Sequence, residues 1–214
     1  MANLCMLSYK DSIDTIPSPF TSFYSIEKGH SRAFIFENDA FVVVVFRETD
    51  NLGAVLDDTN ILPCYTKTIG EVHYGFYMSF IPLLPLLEER LGATNWSTKM
   101  LLATGHSLGG AMALLFGAHF PETQFVVTFG APKVGAKSFE LSTKHFRHIR
   151  WTNGKDKVCR LPVFDYLHTG DHRKLRRSWK NFFKRDHCIK EYCRKIEKLP
   201  LSDVYFEDLL ENKF

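Results

Sequence analysis

Ser107 is the first residue whose surroundings suggest covalent chemistry, because it lies within Gly105-His106-Ser107-Leu108-Gly109, a G-x-S-x-G pattern. The pattern is typical of a nucleophile elbow, in which a strand turns sharply into a helix and exposes a serine hydroxyl. Glycines two positions before and after the serine avoid side chains that would collide in so tight a turn. The amides at the start of the helix would stabilise an oxyanion. An incidental serine in a glycine-rich turn is the alternative interpretation.

A serine nucleophile needs a general base that an acidic residue orients. In folds that carry this elbow, the three residues follow in the order serine, acid, histidine. Asp156 is the candidate acid, because it lies in a loop just after a predicted strand, where the catalytic groups of parallel sheets gather. The alternative for Asp156 is a solvated aspartate in a turn. His168, His172 and His187 follow it, and spacing alone does not choose the base among them.

The segments around these residues predict a mostly parallel sheet flanked by helices. A short apolar strand at 99–104 leads into the motif, an apolar helix over 111–119 follows it, and further strands are expected at 125–129 and 146–151. Alternation of strand, helix and strand at this spacing is typical of α/β proteins. With no internal repeat or linker, we expect a single domain over residues 1–214.

Upstream segments predict further strands and a broken helix. Residues 33–36 and 40–46 form a strand pair, and the second is a continuous apolar run that suits a strand buried on both faces. A helix over 76–91 should be kinked or split by Pro82 and Pro85.

Composition excludes several classes of protein. Of the 214 residues, 45% are hydrophobic and 24% are charged, values that exclude a disordered or collagen-like chain. No apolar run reaches the roughly 18–20 residues that cross a bilayer.

Residues 1–131 hold 7 Lys and Arg against 13 Asp and Glu, whereas residues 132–214 hold 20 against 11. The basic C-terminal part favours an anionic partner, although no nucleic-acid motif accompanies it.

The N-terminus lacks the features of an export signal, so we expect a cytoplasmic protein, or one that is exported without a cleaved signal. The five cysteines are an odd number and widely scattered, which favours reduced thiols. Cys188 and Cys193 lie near His187 without a Cys-x2-Cys pair, so a zinc site is disfavoured. We expect no metal and no cofactor.

Six blocks of the sequence resemble the class 3 (filamentous-fungal type) lipases of the α/β-hydrolase superfamily. Together they extend over about residues 33–192 and occur in the family's order. The blocks are Phe46-Arg47-Glu48-Thr49, Val72-His73-Tyr74-Gly75-Phe76, Gly105 to Ala111, Thr128 to Gly135, Asn153 to Pro162, and Asp186-His187 followed by Tyr192.

The resemblance implies an α/β-hydrolase fold with Ser107 as nucleophile, Asp156 as acid and His187 as general base. It also implies an oxyanion hole formed by the backbone N–H groups of Thr49 and Leu108. One departure is Glu48, because the family usually has glycine at this position. A carboxylate close to the hole would oppose an oxyanion, and a positive φ there would strain glutamate.

Two segments favour contact with lipid. Residues 49–70 occupy the place of the family's lid, and residues 50–70 predict a long loop with one or two helical turns near 52–58; an ordinary surface loop is the alternative. Residues 173–185 are rich in Arg and Lys, and Leu175, Trp179, Phe182 and Phe183 are spaced as one helical face. A helix of this kind would lie on an anionic membrane. Packing of the aromatic face on the domain is the alternative.

We therefore expect a serine hydrolase that cleaves lipid esters through an acyl-enzyme. A phospholipase A acting on anionic membranes is the alternative within enzymes. A catalytically weak lipase-like module that binds a partner protein or lipid is the alternative from another class, and Glu48 is the residue that favours it.

Overall fold

The structure is a computed structural model, and it describes residues 1–10, 12–47, 62–92, 94, 98–162, 165–176 and 186–200. All structural statements below concern these residues. The expected lid turns near 52–58, together with Glu48 and Thr49, lie outside them.

A seven-stranded sheet forms the centre of the described structure, and a separate pair of strands lies beside it. The seven strands lie in the order β1-β2-β3-β6-β7-β8-β9. The first three are antiparallel, and β3, β6, β7, β8 and β9 are mutually parallel. The nine strands are β1 (Ser22–Lys28), β2 (Ser31–Glu37), β3 (Phe41–Arg47), β4 (Pro63–Thr66), β5 (Gly70–His73), β6 (Met100–His106), β7 (Thr123–Phe129), β8 (Arg147–Asn153) and β9 (Asp171–Leu175).

Helices cover both faces of this sheet. The described helices are α1 (Ala2–Leu7), α2 (Tyr74–Phe80), α3 (Leu84–Leu91), α4 (Leu108–His119), α5 (Lys137–Ser142) and α6 (Ile189–Ile196). A 3-10 turn over Ile81–Leu83 separates α2 from α3, so the predicted break at the two prolines is confirmed. Within the described ranges, no helix combines the length and the apolar character needed to span a membrane.

Strand β3 is apolar from Phe41 to Phe46 because its side chains enter two different cores. Val44 and Phe46 pack into the core that contains α4. Val43 and Val45 enter the opposite core, which contains residues of α1 and α6. A strand buried on both faces cannot alternate apolar with polar residues, and the prediction made for this strand is confirmed.

Two segments differ from the sequence-based expectations. Residues 50–70 were expected to be a loop, but β4 pairs with β5 as a short antiparallel hairpin. Its turn is stabilised by the Thr66 hydroxyl, which donates to the Gly70 carbonyl oxygen at 2.9 Å. Leu175 was expected on a helical face, but it ends β9 opposite Asn153 and its side chain is buried. The helix prediction is therefore wrong at Leu175, because the pairing of β9 with β8 places the Leu175 side chain in the core. The rest of the predicted helix, residues 177–185, lies outside the described structure.

Candidate active site

Ser107 lies at the sharp turn between β6 and α4. Its φ of 57° makes it the one non-glycine residue with a positive φ in the part of the chain that the structure describes. Gly105 permits the turn, because a Cβ there would lie 2.1 Å from the carbonyl oxygen of Gly109. The sharp strand–helix turn predicted from the G-x-S-x-G pattern is thus present, with a strained backbone at the serine.

Ser107, His187 and Asp156 form one continuous line of hydrogen bonds. The distance from Ser107 Oγ to His187 Nε2 is 2.7 Å, and that from His187 Nδ1 to Asp156 Oδ2 is 2.8 Å. The imidazole is partly open to solvent, with 29% of the side chain exposed, whereas only 1% of the Asp156 side chain is exposed. This is the arrangement of a nucleophile, a base and an orienting acid.

The carboxylate of Asp156 is held ionised by its hydrogen-bond donors. Burial alone would raise its pKa, but the hydrogen bond and charge of His187, the Tyr192 hydroxyl and the Val158 amide together lower the pKa below its usual value. Tyr192 donates to Oδ2 at 2.8 Å, and the Val158 N–H donates to Oδ1 at 3.0 Å. A buried carboxylate with three donors stays charged and can stabilise a cationic imidazole.

Tyr192 reaches Asp156 from helix α6, although it follows His187 by five positions. The tyrosine is fully buried, and α6 begins directly after the segment that carries His187. The five positions between His187 and Tyr192 therefore allow both side chains to contact the Asp156 carboxylate.

The His187 segment is fastened to the loop that carries Asp156. The side-chain amide of Asn153 donates to the Asp186 carbonyl oxygen at 2.8 Å, and the Lys155 N–H donates to Asp186 Oδ2 at 3.0 Å. Gly154 has a φ of +52°, and a Cβ at this position would lie 2.7 to 2.8 Å from atoms of the Asp186 carboxylate. The acid and the base are therefore held together by hydrogen bonds between the two segments that carry them.

Gly130, directly after β7, lies against the acid and the base. Its φ is +63°, and a Cβ there would lie 2.9 Å from Asp156 Oδ2, 3.1 Å from the Tyr192 hydroxyl oxygen and 3.2 Å from His187 Nδ1. Only a residue without a side chain leaves these three atoms where they are.

The three histidines that follow Asp156 make different contacts in the structure. His168 Nε2 donates to the Cys159 carbonyl oxygen at 2.6 Å, and burial, with the nearby Arg150, lowers the pKa of His168 to about 4. His172 Nε2 contacts the Thr152 hydroxyl at 2.7 Å. Of the three, His187 is the residue that contacts both Ser107 and Asp156.

Leu108, one of the two predicted oxyanion residues, is the first residue of α4 and is buried next to Ser107. The helix N-terminus at this point has the positive dipole end that an oxyanion needs. Thr49, the other predicted residue, lies outside the described structure. Across the described ranges, no three His, Cys, Asp or Glu side chains form a group that could hold a metal ion.

His106 contacts the His187 backbone, and Tyr9 contacts His106 in turn; neither residue was predicted to belong to the site. His106 Nε2 lies 2.6 Å from the His187 carbonyl oxygen, and the Tyr9 hydroxyl lies 2.8 Å from His106 Nδ1. Tyr9 is 97 positions before His106, and no pattern in the sequence connects the two residues.

Comparison with known proteins finds a family model and individual relatives that match this chain. A family model described as lipase (class 3) matches residues 43–166. The lipase of Rhizopus niveus is 30% identical over 173 residues, which are 72% of this chain and 43% of that protein. Toxin TseL of Vibrio cholerae is 38% identical over 97 residues, which are 43% of this chain and 15% of the toxin. The chain thus spans less than half the length of these relatives.

A solved structure has the same fold over most of this chain. Lipase II from Rhizopus niveus superimposes with a TM-score of 0.61 and 25% sequence identity, covering 72% of this chain and 65% of that structure.

Proposed function

The chain belongs to the class 3 lipase family and has its α/β-hydrolase fold, and on that premise we propose that it hydrolyses carboxylic esters of lipids with Ser107 as the nucleophile. The observation that carries the proposal is the continuous hydrogen-bonded line from Ser107 Oγ through His187 to Asp156.

In the acylation step, Ser107 Oγ attacks the ester carbonyl carbon while His187 Nε2 takes the serine proton. The carbonyl oxygen becomes an oxyanion, which the backbone N–H groups of Leu108 and Thr49 would stabilise. As the intermediate collapses, His187 gives its proton to the leaving alcohol and an acyl-serine forms. Water then attacks the acyl-serine, with His187 as base, and the carboxylic acid is released.

Asp156 supports both steps by holding one form of the imidazole. Because its pKa is lowered, the carboxylate accepts the Nδ1–H of His187 and leaves Nε2 free to receive the serine proton. The negative charge also stabilises the imidazolium that forms in each transition state.

Hydrolysis of short- and long-chain p-nitrophenyl esters by the protein and by Ser107→Ala tests this proposal. We expect Ser107→Ala to lose several orders of magnitude in kcat. Ser25→Ala is the matched control, because Ser25 is exposed on the edge strand β1. Activity that survives in folded Ser107→Ala would contradict the proposal. A folded wild-type protein without activity or fluorophosphonate labelling would instead support a lipase-like binding module.

Phospholipase A activity on anionic membranes is a second candidate, and the basic edge of the sheet favours it. Lys174 and Arg176 are exposed, and Arg173 is half-buried, on or just after edge strand β9. The strand ends beside the triad, because the Leu175 carbonyl oxygen accepts the Gly154 N–H at 3.2 Å. Cations at this position would attract an anionic lipid surface to the site, and the protein would then be peripheral to a membrane.

The second candidate predicts faster hydrolysis of phosphatidylglycerol vesicles than of phosphatidylcholine vesicles or neutral glyceride emulsions. Lys174→Gln should weaken the apparent affinity for the anionic vesicles about fivefold, because a lysine near an anionic surface contributes about 1 kcal/mol. Lys28→Gln is the control, since Lys28 is exposed on the opposite edge strand. Equal rates on the three substrates, or equal effects of the two substitutions, would contradict the second candidate.

A further inference from the structure

His106 holds the backbone of the catalytic histidine. A carbonyl oxygen only accepts, so the 2.6 Å contact requires that His106 Nε2 carry the hydrogen and donate it to the His187 carbonyl oxygen. In the neutral ring, Nδ1 is then an acceptor, and the Tyr9 hydroxyl donates to it at 2.8 Å. The His187 carbonyl oxygen therefore fixes the tautomer of His106, and the tyrosine hydroxyl binds the ring nitrogen that is left as acceptor.

The two imidazole rings are also in direct contact. The centroids of the His106 and His187 rings are 4.7 Å apart, with 36° between the ring planes. Tyr192, which donates to Asp156, also packs against His106, and the centroids of their rings are 5.9 Å apart. His106 thus contacts the base at its backbone and its ring, and it also contacts the tyrosine that supports the acid.

Tyr9 is positioned by the helix that precedes it. Helix α1 is anchored to strand β6 through Cys5, whose sulfur lies 3.3 Å from the Thr104 hydroxyl oxygen. Cys5 and Leu4 are buried in the same core as residues of α6. The docked helix therefore places Tyr9 within hydrogen-bond distance of His106.

We propose that Tyr9 and His106 are positioning residues that hold His187 in register with Ser107 and Asp156. The inference rests on the proposed function, because it assigns these two residues to the same site. Two hydrogen bonds in series, from Tyr9 to His106 and from His106 to the His187 backbone, limit the movement of the base. Without them, His187 Nε2 spends less time within hydrogen-bond distance of Ser107 Oγ, and acylation slows.

Tyr9→Phe tests the inference, since it removes the hydroxyl and keeps the ring. We expect kcat for p-nitrophenyl esters to fall about fivefold while KM changes less than twofold, as for loss of one hydrogen bond that acts on the base. Tyr24→Phe is the matched control, because Tyr24 is exposed and its ring lies under Arg90 on the far edge of the sheet. His106→Gln can still donate to the His187 carbonyl oxygen, and it should keep more activity than His106→Ala.

A second control separates positioning from loss of stability. Ile35→Val removes one buried methylene group from the core that contains α4 and no residue of α1 or α6, so it should lower the melting temperature and leave kcat unchanged. The proton in the bond between His187 and Asp156, observed by NMR, should exchange with water faster in Tyr9→Phe than in Ile35→Val.

Unchanged kcat and unchanged proton exchange in Tyr9→Phe would overturn the inference, as would equal losses of kcat in Tyr9→Phe and Ile35→Val. Proton exchange does not require substrate. If the wild-type protein hydrolyses no ester, the proposed function fails, and the exchange rates alone decide the positioning role.

Discussion

Replacing Gly130 by alanine isolates the effect of one methyl group on the acid and the base. Gly130 has a φ of +63°, and Gly29, between β1 and β2, has a φ of +62°. A Cβ at Gly29 would have no atom within 4 Å, whereas a Cβ at Gly130 would meet Asp156, Tyr192 and His187. The two alanine variants therefore share a backbone conformation and differ in what the methyl group contacts.

The shared cost comes from the left-handed backbone. An alanine in this conformation loses roughly 1–2 kcal/mol of folding free energy, and we expect this loss in both variants. The additional effect at Gly130 follows from the contact distances of 2.9, 3.1 and 3.2 Å, which are all shorter than the 3.4 Å at which ordinary contacts begin. The three side chains must each retreat by a few tenths of an ångström.

A displacement of this size matters more for catalysis than for stability. Because a misplacement of about 1 Å costs roughly 10²-fold in rate, we expect Gly130→Ala to lower kcat about tenfold or more. Gly29→Ala should keep the wild-type kcat. The assay is hydrolysis of a p-nitrophenyl ester at saturating concentration, alongside urea unfolding of both variants.

An effect of the methyl contact on catalysis would be refuted by a Gly130→Ala enzyme whose kcat equals that of Gly29→Ala. It would also be refuted if Gly29→Ala lost activity to the same extent, because the backbone conformation and not the methyl contact would then be responsible.

Two further substitutions test the support of the carboxylate and the elbow. Tyr192→Phe should lose about 1.5–3 kcal/mol of unfolding free energy at pH 7. Since the folded-state pKa of Asp156 is lowered, this difference should shrink as the pH falls through that pKa, which urea unfolding at several pH values will show; a constant difference would contradict it. Gly105→Ala places a Cβ 2.1 Å from a backbone oxygen, so we expect a loss above about 4 kcal/mol; wild-type thermal unfolding would count against this.

The sequence predicts the parts of the fold that depend on local chemistry. Strand β3 is recognisable because a strand buried on both faces must be apolar throughout, and the break before α3 follows from the geometry of proline. The turn at Ser107 is recognisable because Gly105 has no space for a side chain. In each case a single steric or solvation requirement restricts the residue types that are possible.

Other features depend on contacts between distant segments. Spacing alone left His168, His172 and His187 open, and only the folded chain shows which one meets Ser107. The strand at Leu175 was missed because its pairing partner is Asn153 on β8. The positions of Tyr9 and His106 were missed because the tertiary docking of α1, and not a local pattern, brings them together.

The hydrogen bonds of the triad have a consequence for folding kinetics. The bond from Ser107 to His187 joins positions 80 apart in the chain, and that from His187 to Asp156 joins positions 31 apart. Contacts of such long range form late, because the entropy of closing large loops must be overcome first. In a refolding experiment, helix content should return before ester hydrolysis, so the recovery of activity reports when β6, β8 and the segment before α6 have come together.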